Sequence, residues 1–253
     1  MIHRLTTAYK DIFTTVYLLE APSGCILFDA ASYPEDIDGA VLPFLCKAGI
    51  TADDLKYIFI SHNHKDHSGG LARLMEHFPK SCIVSRSETL EEAYAGFSFC
   101  KPEDGDVLLD TYRVVTIPGH TQDSSALLDL RTGTMITGDC LQQYGIRGSG
   151  DWASNISYPA KHLRALAKGR DLAPQAILTA HDYVPHGYRA DSPQAVLQML
   201  EACAQPLYRL KQLILDNPEA DDAAIRALFS DEENHLTINP RVVAAMRGAV
   251  LPD

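Results

Sequence analysis

In the N-terminal half of the chain, short apolar runs rich in β-branched and aromatic residues alternate with stretches whose apolar residues recur at helical spacing. Residues 14–20 and 25–28 flank Pro22-Ser23-Gly24 and predict a hairpin. In residues 37–48, Ile37, Val41 and Leu45 share one helical face, and Gly49 supplies the stop. A short apolar run at 57–60 leads straight into Ser61-His62. Residues 71–78 predict a helix ended by Pro79, and 82–85 a strand. Further strands are predicted at 107–109, 112–117, 126–130 and 134–137, then a helix at 160–168 and a last strand at 176–179. Strands first mixed with helices and then clustered predict an α/β sandwich, layers of sheet covered by helices.

The pattern changes after Pro193. Val196, Leu197, Leu200, Cys203, Leu207, Leu210 and Ile214 lie at helical intervals, and Asn217-Pro218 breaks that helix. Two shorter helical patterns follow at 223–229 and 241–246. From about residue 191 onward the chain reads as a helical appendage whose apolar stripe serves packing. No internal repeat or low-complexity tract interrupts this order.

Composition adds mainly exclusions. With 253 residues, 46% apolar and 22% charged, the chain is long enough for one large core and a small appendage. No apolar stretch reaches the roughly 18 residues of a membrane span. The start, Met-Ile-His-Arg-Leu-Thr-Thr, lacks the apolar segment and small-residue cleavage site of a signal peptide, so a cytoplasmic protein is expected. The formal net charge is −11 and no Lys/Arg-rich run occurs, which argues against nucleic acid and against anionic membrane as partners. A small-molecule substrate is the expected partner. The six cysteines (Cys25, Cys46, Cys82, Cys100, Cys140 and Cys203) form no Cys-x-x-Cys pair and read as free thiols. Cys140, although beside a candidate ligand, reads as a small buried hydrophobe.

The segment Ser61-His62-Asn63-His64-Lys65-Asp66-His67-Ser68-Gly69-Gly70 stands apart. Of ten histidines in the chain, three fall with an aspartate in one six-residue window, directly after an apolar strand. Loops at the C-terminal ends of strands are where a rigid sheet can present reactive groups. Imidazole and carboxylate together suit zinc and similar divalent metals. The same grammar, an apolar run followed by small residues and a potential ligand, recurs at Ile117-Pro118-Gly119-His120, at Thr137-Gly138-Asp139-Cys140 and at Thr179-Ala180-His181-Asp182.

These motifs, in this order, resemble the metallo-β-lactamase superfamily. The resemblance implies a four-layer αββα metallo-β-lactamase sandwich over residues 1–190, with a helical C-terminal extension over 191–253. It implies two divalent metal ions, zinc first, with iron and manganese served by the same ligands. His62, His64 and His120 would hold the first metal, and Asp66, His67 and His181 the second. Asp139 would bridge both, together with a shared hydroxide. Asp66 and Asp139 are thereby the catalytic carboxylates, and Asp29 matches an aspartate that supports the ligands from behind.

Within the superfamily, Asp139 separates the chain from true β-lactamases, and His64 separates it from flavodiiron oxygen reductases, which have Glu there. The helical tail is similar to that of hydroxyacylglutathione hydrolase, a thioesterase, and His181-Asp182-Tyr183 resembles its His-Glu-Tyr. The resemblance then places Tyr183 on the substrate. In Gln142-Gln143-Tyr144-Gly145-Ile146-Arg147-Gly148, Arg147 stands near that enzyme's basic position, and Tyr144 near the tyrosine of lactonases. The expected function is metal-dependent hydrolysis of an ester-like bond (thioester, lactone or ester) in a small anionic molecule. Arg147, Tyr144 and Tyr183 are its expected substrate contacts, in a loop that also holds Trp152. Two alternatives stand beside it. One is a persulfide-type dioxygenase with a single iron on His64, His120 and Asp139. The other is a sensor that keeps the fold without turnover.

Overall fold

The computed structural model describes residues 1–147, 154–230 and 237–250; Gly148 and Trp152 lie outside the described residues. The chain forms two compact units, Met1–Thr116 with Ser125–Arg131, and Ile117–Ser124 with Thr132–Asp253.

The first unit is built on one six-stranded sheet. Strands β1 (Ile2–Tyr9), β2 (Ile12–Ala21) and β3 (Gly24–Phe28) are antiparallel neighbours, joined at the second turn by the predicted Pro22-Ser23-Gly24 hairpin. Strands β4 (Leu55–Phe59), β5 (Cys82–Val84) and β6 (Phe99–Cys100) continue it in parallel. Parallel pairing needs crossovers, and the helices supply them.

The crossover from β3 to β4 holds α1 (Pro34–Asp36), a π-helical turn (Ile37–Val41) and α2 (Leu42–Lys47) where one continuous α-helix over 37–48 is expected. Pro43 is the physical reason: without an N–H it cannot close the ordinary i to i−4 bond. Helices α3 (Lys65–Ser68), α4 (Leu71–His77) and α5 (Glu88–Ala93) complete the crossovers. Val16, Leu18, Leu27, Ile37, Ile58, Leu71 and Leu74 are fully buried in one cluster between sheet and helices. The unit ends with the antiparallel strands β7 (Val107–Leu108), β8 (Tyr112–Thr116) and β9 (Ser125–Asp129).

In the second unit β10 (Thr134–Ile136) pairs in parallel with β11 (Ala176–Leu178), and β12 (Arg189–Ala190) adds antiparallel to β11. Helix α6 (Pro159–Asp171) makes the β10–β11 crossover. The 24-residue α7 (Pro193–Asp216) starts at the Ser192 cap and packs on α6, β11 and β12, with α8 (Asp222–Phe229) and α9 (Pro240–Arg247) against it. The predicted stripe of Val196, Leu200, Cys203, Leu207, Leu210 and Ile214 is buried. Leu197 is half-exposed, so it belongs to the outer face. No described helix is long and apolar enough to cross a membrane.

Candidate metal centre

In the first unit the ligand motif sits where β4 ends and α3 begins, and its footing is Asp29. This residue follows β3 in a left-handed conformation (φ 65°) with its carboxylate fully buried. Oδ1 accepts from the Ser61 amide (2.8 Å), and Oδ2 accepts from Ser61 Oγ (3.0 Å) and His67 Nδ1 (2.7 Å). Burial raises the Asp29 carboxyl above its ordinary pKa, and His67 and Ser61 oppose that rise. The backbone interlocks as well. Ala30 N–H donates to the His67 carbonyl, while Gly69 and Gly70 N–H donate to those of Ala31 and Ala30. A Cβ on Gly69 would stand 2.0 Å from the Ser32 carbonyl oxygen, and one on Gly70 2.3 Å from that of Ala30. Ser68-Gly69-Gly70 therefore reads as a close-approach motif.

These contacts fix which ring nitrogens face inward. With Nδ1–H on Asp29, His67 presents Nε2, which lies 3.3 Å from Asp66 Oδ2. The Ser61 hydroxyl donates to Asp29, so toward His62 Nδ1 (3.1 Å) it accepts, and His62 Nε2 is left with a lone pair. That nitrogen lies 3.0 Å from His64 Nδ1.

The second unit builds a matching arrangement. His120 Nδ1 donates to the Asn155 carbonyl at 2.6 Å, turning Nε2 toward Asp139 Oδ2 at 3.7 Å. His181 Nε2 lies 3.1 Å from Asp139 Oδ1, and Tyr183 donates its hydroxyl to that same oxygen at 2.9 Å. Gln142 ties the group together. Its Nε2 donates to the Asp139 carbonyl (3.0 Å) and to the Tyr183 hydroxyl (3.3 Å), and its Oε1 accepts from the Asn155 amide (3.2 Å). Beneath His120, a Cβ on Gly119 would stand 2.4 Å from His162 Nδ1, so only glycine fits.

His62 and His67 in the first unit and His120 in the second are thus anchored through one nitrogen by an oxygen, with the other nitrogen directed to a carboxylate or a second imidazole. That is the orientation metal-bound histidines adopt, and the donor set of imidazoles and carboxylates suits a divalent ion. Sequence reasoning missed the supports Gln142, Asn155 and His162. Asp29, at the end of an apolar run, and Ser61, next to His62, did carry a signal.

The expected substrate contacts are placed as follows. Tyr183 is fully buried, with its hydroxyl on Asp139. Tyr144 directs its hydroxyl to Gln205 of α7 at 2.7 Å. Arg147 is exposed, and its guanidinium lies 3.3 Å from Asp182 and donates to the Pro185 carbonyl at 3.2 Å. The backbone amides of Gln143 and Gln142 donate to the Cys203 sulfur, whose pKa burial pushes up to about 12, so α7 braces the loop that follows Asp139. Cys140 is buried, as expected of a small hydrophobe.

The decisive comparison concerns the stretch that holds all these ligands. The family model of the metallo-beta-lactamase superfamily matches residues 9–181. The chain belongs to the metallo-β-lactamase superfamily. With that membership comes the α/β, four-layer αββα fold expected from the motifs. A metallo-beta-lactamase family protein from Thermus thermophilus is similar in structure at a TM-score of 0.65 and 20% identity, over 97% of this chain and 90% of that one.

In sequence, the chain is 28% identical to the hydroxyacylglutathione hydrolase of Thermosynechococcus vestitus over 212 residues, 80% of this chain and 78% of that protein. It is 27% identical to the uncharacterized protein YobT of Bacillus subtilis over 168 residues, 57% of this chain and 69% of that one. The match to the hydroxyacylglutathione hydrolase of Blochmanniella pennsylvanica is 34% identical but covers only 26% of either chain.

Proposed function

We propose that this chain is a metal-dependent hydrolase that cleaves an ester-like bond, a thioester first, at a dinuclear centre. His62, His64 and His120 would hold one ion, and Asp66, His67 and His181 the other, with Asp139 available to both. The observation that carries the reading is the orientation of the imidazoles. His62, His67 and His120 are each fixed through Nδ1 by an oxygen partner, so that Nε2 faces a carboxylate or a second imidazole, an orientation that supports a ligand role. The likeness to hydroxyacylglutathione hydrolases supports the choice of thioester. Divalent ions bound there would lower the pKa of water toward neutrality and polarise an acyl oxygen. The chain's own groups do the positioning. Asp29 and Ser61 hold His67 and His62, and Gln142 and Tyr183 hold Asp139. The buried Asp66 carboxylate, 3.3 Å from His67 Nε2, would take up the proton released by the attacking water.

Protein loaded with zinc and given a thioester in oxygen-18 water should place one label in the acid product. Elemental analysis should find close to two ions per chain. Uptake of dioxygen with oxidation of a thiol or persulfide would replace this reading with the single-iron dioxygenase, and ligand binding without turnover would replace it with the sensor.

A further inference from the structure

Within the metal-ligand motif, Lys65 lies between His64 and Asp66, at the first position of α3. Its side chain is exposed, and its ammonium sits over the ring of Tyr33, 4.6 Å from the centroid. Tyr33 follows the Asp29 segment and is itself braced by Tyr9, ring centroids 6.1 Å apart, with Lys10 Nζ 5.2 Å from the Tyr9 centroid. The four side chains form a row, Lys10–Tyr9–Tyr33–Lys65, alongside the ligand loop of the first unit.

Lys65 is set apart by its place inside the ligand motif. Acidic residues outnumber basic ones by 33 to 22, and several surface cations of the first unit pair with carboxylates, as Arg73 does with Asp38, Lys80 with Asp53 and Lys101 with Glu88. Among the described residues Lys65 pairs with no carboxylate. An aromatic face attracts an ammonium through its quadrupole without neutralising it. The ring therefore holds the charge in place while its N–H donors remain available to an anion.

We propose that Lys65, seated on Tyr33, is an anion-recognising subsite beside the metal ligands that takes a carboxylate of the substrate, with the Tyr33 ring alongside the substrate's apolar part. This deepens the hydrolase reading and rests on it for the reaction, though not for the binding. It also moves anion recognition away from Arg147, whose guanidinium is engaged by Asp182.

Two matched pairs of probes test it on zinc-loaded protein. Binding is measured by calorimetry with 4-hydroxybenzoate and the neutral 4-hydroxybenzamide. Turnover is measured as the ratio of kcat/KM for 4-(acetylthio)benzoate to that for S-phenyl thioacetate. Wild type should favour the carboxylate in both. Lys65→Met, which keeps the apolar stem, should lower both preferences about tenfold, and Lys65→Arg should retain them. Raising salt to 1 M should shrink the wild-type preference, because the screening length falls to about 3 Å. Equal binding of the two benzoyl probes by wild type, or a preference that survives in Lys65→Met with equal zinc content, overturns the subsite. If neither thioester turns over but the binding preference follows Lys65, the hydrolase reading fails and the subsite stands.

Discussion

The carboxylate of Asp139 is steered by Tyr183 on Oδ1, and the same hydroxyl is held by Gln142, which also grips the Asp139 backbone carbonyl. Tyr183→Phe removes one donor while preserving the buried ring, so the carboxylate gains freedom to rotate. Metal affinity should fall about 10- to 100-fold, measured by competition with a chelator, because supports of this kind are worth that much. A raised KM with unaltered metal affinity would instead place Tyr183 on the substrate.

Gly69→Ala acts through sterics. The added methyl meets the Ser32 and Lys65 carbonyl oxygens at 2.0 and 2.5 Å, both backbone atoms with little room to yield. A loss of roughly 1–3 kcal/mol in a denaturant titration is expected, together with weaker metal binding as α3 shifts. An alanine variant as stable as wild type would show that the Asp29–Ser32 segment gives way. The seven candidate ligands stood out in the sequence because each lies just after an apolar run and is a residue type with few other reasons to be there. Asn155 was not, and no scrutiny of side chains would have found it. It orients His120 through its backbone carbonyl, a group every residue has.

At the scale of elements, legibility followed burial. Strands with a continuous apolar run, such as β4 and β9, emerged within one or two residues. Strand β1 did not, because it lies at the sheet edge with only Thr7 and Tyr9 buried, so little periodicity marks it. Helix α5 has a Ser87 cap but a single buried residue, Leu90, and one apolar position makes no period. Helix α6 is evident from its pattern, while the role of His162 in it was hidden. The ring is fully buried against Gly119, and neither nitrogen has a hydrogen-bond partner among the described residues.

Burial first, and then His120, pushes the His162 pKa from 6.5 down to about 3. A depressed pKa means that the unfolded chain takes up the proton first. His162 therefore adds no pH dependence above about pH 6.5, and stability drains away as pH falls from there toward 3, with a slope of up to about 1.4 kcal/mol per pH unit. Replacing the ring by a non-titrating group, His162→Asn or His162→Phe, should flatten that part of the stability curve relative to wild type. Parallel curves between pH 6.5 and 3 would mean that His162 is already solvated, or charged, in the native state.

For the whole molecule, the proposed centre takes His62, His64, Asp66, His67, His120, Asp139 and His181, residues far apart in the sequence. Ions bound only when all seven side chains are assembled stabilise the native chain by mass action. At a free concentration one hundred times Kd the gain is about 2.7 kcal/mol for each ion. In a chain of this length each kcal/mol shifts Tm by roughly 2–4 °C, so stripping the ions with a chelator should lower Tm by about 5–10 °C for each ion lost, and zinc should restore it. Asp139→Asn separates this linkage from non-specific effects of the chelator. It keeps the volume and the hydrogen-bond acceptor for Tyr183 but removes the charge that both ions would share. Its Tm should therefore start closer to that of stripped wild type and respond less to chelator. If stripped and loaded wild type melt together while both ions are demonstrably bound, the ligands must be equally available in the unfolded chain. The centre would then contribute chemistry without contributing stability.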